Sequence, residues 1–183
     1  YHNDVKFKIT SFNNNFISSI ENHWENIRES ISCLFDLLKT FGLNSRTLTS
    51  NNATLPVLYY IYHKNIYKDI ATSVSHKGNR DLIRVWVLKT LLLRTFGQSA
   101  DGVLNNARKA FTIDLNKNHL NVDIDKFPSS EISQEIKQNL DISDEYIDEI
   151  LLTQKDDRYA FAILSILYPN LDYKNNNFHL DHL

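Results

Sequence analysis

Asp81-Leu82-Ile83-Arg84-Val85-Trp86-Val87-Leu88-Lys89-Thr90-Leu91-Leu92-Leu93-Arg94-Thr95-Phe96-Gly97 is the stretch on which the fold turns. It is apolar on nearly every side, and its cations, Arg84, Lys89 and Arg94 with Arg80 just ahead, recur about a turn apart. That spacing predicts a helix over 81–97, stopped by Gly97, and a helix apolar all round belongs at the centre of a bundle. The cations have two readings: contacts to the phosphates of a nucleic acid, or the solvated edge of a buried helix. The second asks for less.

Working outward, the chain supplies further helices for such a centre to pack against. From Asn14 to Phe41 the set Phe16, Ile20, Trp24, Ile27, Ile31, Leu34, Leu38 and Phe41 keeps helical spacing, and Gly42 ends it. One long amphipathic helix is predicted there, with His23 at its surface. After a polar loop, Pro56 opens a helix whose buried stripe is read as Val57, Leu58, Ile61 and Tyr62. Tyr59, Tyr60, Tyr62 and Tyr67 stand near Lys64 and Lys68. They suit either base stacking or, as the simpler reading, aromatic packing with wet hydroxyls.

Downstream, Ser99-Ala100-Asp101 caps a helix running to Phe111, and 112–125 loses the helical period and leaves room for a short strand. Helices restart after Phe127-Pro128, with serine expected as cap, after Ser143, and over Arg158–Tyr168, where Pro169 closes the last one. The acids Asp144, Glu145, Asp148 and Glu149 read as dipole partners of a first helical turn rather than as a metal site. The expected fold is therefore all-α, a multi-helix bundle of about six helices over residues 1–172. A short extended segment follows at 173–183.

Composition agrees with this. With 42% hydrophobic and 11% aromatic residues the chain suits a folded domain, and only four Gly and three Pro favour long helices. The lone Cys33 rules out an internal disulfide, fits a reducing compartment, and reads as a buried small residue rather than a nucleophile. No apolar run is long enough to span a bilayer and no leader follows Tyr1, so a cytoplasmic protein without a membrane partner is expected. The absence of methionine fits an internal piece of a longer chain. Net charge is −2, unevenly spread: 12 basic against 7 acidic residues through Ala100, 8 against 15 beyond it. Such a balance gives no global case for gripping DNA. Phosphate-binding Gly loops, Cys/His metal spacings and Gly-x-Ser-x-Gly elbows are absent from the sequence.

Chemistry clusters in Tyr173-Lys174-Asn175-Asn176-Asn177-Phe178-His179-Leu180-Asp181-His182-Leu183. Phe178 and Leu180 alternate with polar residues after a three-asparagine turn, which reads as a short strand. Asp181 beside His182 sets a hard oxygen ligand next to a group that takes a proton near neutral pH. A metal-assisted phosphodiester hydrolase needs such a pair. The plain alternative is a solvated chain end.

Leu164-Ser165-Ile166-Leu167-Tyr168-Pro169 with Asn175–Leu183 resembles the entry to the HNH nuclease domain of the DUF262/DUF1524 family, large bacterial proteins that include modification-dependent restriction enzymes of the GmrSD kind. Thr47-Leu48-Thr49-Ser50 with Leu55-Pro56, Arg84-x-Trp86 with Phe96-Gly97, and Phe127-Pro128 resemble segments of that family's central helical region. The resemblance implies a helical spacer, followed by the first strand of a ββα-metal module, from a DNA endonuclease of restriction or anti-phage type. It implies His182 as general base, Asp181 as ligand of Mg²⁺ or Mn²⁺, and His179 as a neighbour. It also implies a nucleotide bound by a module upstream, and DNA as partner of the complete protein. The family's later Asn and His do not follow within this chain, so the 183 residues alone are expected to bind no cofactor and cut no DNA. Oligomeric state is left open. The rival reading is a non-catalytic helical module for protein or nucleic-acid contacts. A substrate-binding domain of a small-molecule enzyme ranks last, for want of a convergent polar set.

Overall fold

The computed structural model describes residues 12–97, 100–114, 119–120, 125–176 and 178. Among them the architecture is helical: α1 (Asn14–Asn22), α2 (Trp24–Thr40), α3 (Leu55–Lys64), α4 (Lys77–Leu92), α5 (Ala100–Lys109), α6 (Ser129–Ile136), α7 (Asp144–Leu151) and α8 (Ala160–Leu167). One small antiparallel ribbon, β1 (Thr112–Asp114) with β2 (His119–Leu120), interrupts them. Thr112 pairs with Leu120 and Asp114 with His119, with an irregularity between the two pairs. It falls in the stretch where the helical period fails.

As expected, α4 is central. Ile83, Trp86, Val87, Leu88, Leu91 and Leu92 are all buried, and α4 packs against both α6 and α8 while α3 lies between α2 and α5. Each such aliphatic side chain contributes about 1.5–3 kcal/mol on leaving water. The boundaries differ from the predicted 81–97. The helix begins at Lys77 and ends at Leu92 because Arg94, not Gly97, takes the left-handed position, at φ 52°. Thr95 N–H then bonds the Thr90 carbonyl and Arg94 N–H that of Leu91, the paired closure of a Schellman motif. It turns Phe96 inward, edge-on to Trp86 at 6.0 Å.

The predicted single helix over 14–41 is two helices. His23 breaks it at φ −110°, ψ 7°, and its ring nitrogen Nδ1 sits 2.8 Å from the Ser19 carbonyl one turn back. Asn22 and His23 are both mediocre helix formers, and a side chain that engages a helix carbonyl competes with the regular ladder. Of the predicted apolar stripe, Leu34, Leu38 and Phe41 are buried, whereas Phe16, Trp24 and Ile31 are exposed and Ile20 and Ile27 intermediate. The α3 stripe also shifts. Val57, Tyr60 and Ile61 are buried, and Leu58 and Tyr62 only partly so.

At the α2 terminus Gly42 behaves as expected. It adopts φ 80°, and the bonds Gly42 N–H to Lys39 and Leu43 N–H to Leu38 close the helix. Ser143 caps α7 through the Tyr146 N–H at 3.3 Å. The serine cap expected for α6 is absent: Pro128 occupies the cap position, and its carbonyl receives the Ile132 N–H. Ser129 is already helical there. Ser99 lies outside the described residues.

One buried polar cluster ties three parts of the chain together. Asn79 on α4 donates through Nδ2 to the Tyr60 hydroxyl and accepts the Phe127 N–H through Oδ1, both at 2.9 Å. Tyr60 in turn donates to the Asp125 carbonyl. Phe127 then packs edge-on to Trp86 and Tyr60. Tyr60 is thus a core residue, as the simpler reading of the tyrosines expected, and burial pushes its phenol above the usual range.

Candidate functional site

The chain reaches its C-terminal segment over a shoulder built by α8, Gly42 and Arg84. Pro169 ends α8 as predicted, and Arg84 on α4 closes it from outside, donating to the Pro169 carbonyl at 2.8 Å and to the Ser165 carbonyl. A cation at helix-terminal carbonyls is favourably placed against the helix dipole. Its guanidinium also lies 5.9 Å over the Tyr173 ring, and Tyr173 donates its hydroxyl to the Tyr168 carbonyl. Tyr173 packs edge-on to Phe161 and to Phe178, at 6.1 and 5.2 Å. Gly42 gives the ring room, since a Cβ there would stand 2.7 Å from Tyr173 and 2.8 Å from Phe161.

Of the expected three-asparagine turn, Asn175 and Asn176 fold back on Asp172, and Asn177 lies outside the described residues. The Asp172 carboxylate accepts from the backbone and side chain of Asn175, which hold it below the usual carboxylate range, and Asn176 bonds the Asp172 carbonyl. His179, Asp181 and His182, with the predicted strand through Leu180, lie outside the described residues. Among the described residues no group of three His, Cys, Asp or Glu side chains could hold a metal ion. Of the acids of α7, Asp144 and Glu145 fall in its first turn as expected, whereas Asp148 and Glu149 lie a turn further on.

The four cations singled out in the sequence separate into two pairs. Arg84 is committed to α8, and Arg80 donates to the carbonyls of Ile70 and Ser73, closing the loop after α3. Spacing shows neither job, because the acceptors lie elsewhere in the chain. Lys89 is partly exposed, and Arg94 stacks 4.8 Å over the Tyr159 ring. Arg84→Ala is expected to cost about 2 kcal/mol, the scale of charge-assisted bonds to carbonyls. Arg84→Lys should not restore it, since one ammonium does not reproduce the planar fork. Trypsin cleavage at Lys174, followed by mass spectrometry, should accelerate in both variants.

A second feature escaped the sequence reading. An apolar groove of about 370 Å³ lies between α2, α3 and α5, lined by Ile27, Ile31, Leu55, Tyr59, Tyr62 and Phe111 among others. His63 stands beside it, its ring 4.3 Å from Tyr59 and 4.8 Å from Tyr62. Tyr59 and His63 are four residues apart on one helical face, the available signal. Burial without an anionic partner pulls the His63 pKa down to about 4. The folded value lies below the unfolded one, so the unfolded chain takes up the proton first. Stability is therefore full above about pH 6.5 and falls as pH drops from there toward 4. After allowance for solvent screening the loss is on the order of 1 kcal/mol. Denaturant titrations across this window should show the slope, and His63→Gln should flatten it.

Cys33 is buried, and desolvation pushes its thiol up to about 11, as a structural cysteine requires. No helix among the described residues is long and apolar enough to cross a membrane. No known protein family matches the chain, and neither does any curated protein.

Proposed function

We propose that this chain is the helical spacer of a metal-dependent DNA endonuclease of the DUF262/DUF1524 kind, and that its body presents the start of the nuclease segment. The observation that carries this reading is the shoulder. Arg84 and Gly42 fix Tyr173 against the bundle just ahead of Asp181 and His182. Beside it α8 exposes Leu164, Ile166 and Leu167, followed by Tyr168 and Leu171. An apolar surface of this kind suits the packing of a further module. In the proposed role His182 activates water, Asp181 ligates a divalent cation, and His179 lies nearby, each on the strength of the resemblance. Lys89 and Arg94 are the cations left for DNA. A bacterial cytoplasmic setting and an upstream nucleotide site come with the same reading. Reading the coding sequence beyond Leu183 tests it first. A Pro, an Asn and a His within about forty residues are expected, because the ion and the attacking water need those groups. Their absence would sink the nuclease reading.

A second reading, a helical interaction module without catalysis, is favoured by one specific observation: the apolar groove and the exposed face of α1. A continuation beyond Leu183 that lacks the Asn and His would favour this reading over the first.

A further inference from the structure

The left-handed position that closes α4 is held by Arg94, at φ 52°, where glycine is the usual residue. A long side chain there carries a backbone cost, and such a position points to a use for the side chain. The Arg94 guanidinium lies 4.8 Å from the centre of the Tyr159 ring, and that of Arg158 lies 5.4 Å from the same centre. One ring thus holds two cations near each other.

Both arginines line a hollow of about 460 Å³ whose wall also includes Thr49, Ser50, Asn51 and Asn52. Among the described residues no Asp or Glu lines it, and neither guanidinium forms an ion pair. Glu149 and Asp157 line a neighbouring hollow, which Arg94 and Tyr159 share. Asp157 is already engaged, accepting the Tyr159 N–H at the start of α8. Arg158 donates to the Thr49 carbonyl at 2.7 Å, which sets it against the 49–52 wall. The Arg94 guanidinium donates no hydrogen bond to any described residue. On the same wall the Thr49 hydroxyl is buried without a hydrogen-bond partner. A buried hydroxyl left unmatched costs free energy and calls for a partner.

Two like charges in one hollow repel, and an anion between them turns that repulsion into attraction. Guanidinium is the side-chain group best shaped for phosphate oxygens. We propose that this hollow binds a phosphate monoester, its phosphoryl group held by Arg94 and Arg158 with the Thr49 hydroxyl as a further donor. Two guanidiniums without a carboxylate match the charge of a phosphoryl dianion, whereas a DNA phosphodiester carries a single charge. The hollow falls in the size range of small-molecule sites, so room remains for the body of the ester. This site goes beyond the nuclease reading and does not depend on it.

Isothermal titration calorimetry of the full chain in about 0.1 M chloride tests it, with inorganic phosphate and phenyl phosphate as probes. A single-stranded oligonucleotide without terminal phosphates serves as the third. The two phosphate probes should bind with dissociation constants below about 1 mM. Phenyl phosphate should bind more weakly at pH 5 than at pH 7.5, because its second proton leaves near about pH 6. Arg94→Gln and Arg158→Gln should each weaken binding at least about 10-fold. Arg94→Gly should lose binding equally while its melting temperature is kept, since φ 52° suits glycine. That variant separates loss of the site from loss of the fold. Dissociation constants above about 1 mM for both phosphate probes would overturn the proposal. So would undiminished binding in folded Arg94→Gly. Binding of the oligonucleotide through both arginines, with the two phosphate probes idle, would also overturn it and assign the pair to a DNA backbone.

Discussion

Gly42→Ala is expected to lower the melting temperature by about 10 °C, within a range of about 4–20 °C. Two costs add. The residue holds φ 80°, a region that costs an L-residue about 1–2 kcal/mol. The new Cβ also meets Tyr173 at 2.7 Å and Phe161 at 2.8 Å. Both neighbours are ring atoms, and Tyr173 is tethered by its hydroxyl to Tyr168 and covered by Arg84, so neither yields by rotating a flexible end. Displacing packed rings costs about 1–3 kcal/mol, and each kcal/mol lowers the midpoint by about 2–4 °C in a chain of this size. Differential scanning calorimetry checks it. Adding Tyr173→Ala should relieve the Tyr173 share of the steric part and leave the Phe161 share and the backbone part, so the Gly42→Ala decrement should be smaller in a Tyr173→Ala background.

Asn79→Leu is the second. The substitution keeps the volume but orphans the buried Phe127 N–H and takes from the Tyr60 hydroxyl the bond it accepts, leaving the one it donates to the Asp125 carbonyl. An orphaned buried polar group costs about 1–3 kcal/mol, and the lost bond to Tyr60 adds about 1, for a loss of about 3 kcal/mol. The denaturation midpoint in urea should fall with little change in slope. Tyr60→Phe removes the same Asn79–Tyr60 bond from its other end, so the double variant should lose less than the two single losses added together.

The helices were legible where a local residue decides them. Gly42, Ser143 and Pro169 end or begin elements at the expected places, and α4 reads as central from its composition alone. The break at His23 was not legible, because the apolar period runs unbroken through it and the cause is a ring reaching back to Ser19. Period also says which residues share a face, not whether that face is covered: the stripe that buries Leu34 and Leu38 leaves Phe16 and Trp24 in water. Asn79 and Arg84 escaped for a third reason. Their partners lie 48 and 81–85 residues away, and no spacing rule reaches that far. Arg80 and Arg84 read as a solvated helix edge, with phosphate contacts as the alternative, because sequence shows a cation and not the carbonyl it meets. The groove combines all three, since its walls come from helices that only the fold brings together.

The most direct test of the account is a nicking assay on the complete product of the gene. Supercoiled plasmid, with and without the base modifications found in phage DNA, would be incubated with Mg²⁺ or Mn²⁺ and nucleotide. The account predicts metal-dependent cleavage that is lost in His182→Ala and Asp181→Ala while the helical region stays folded. Cleavage that persists undiminished in His182→Ala would contradict it, as would a folded, metal-loaded complete protein that cuts no DNA of either kind.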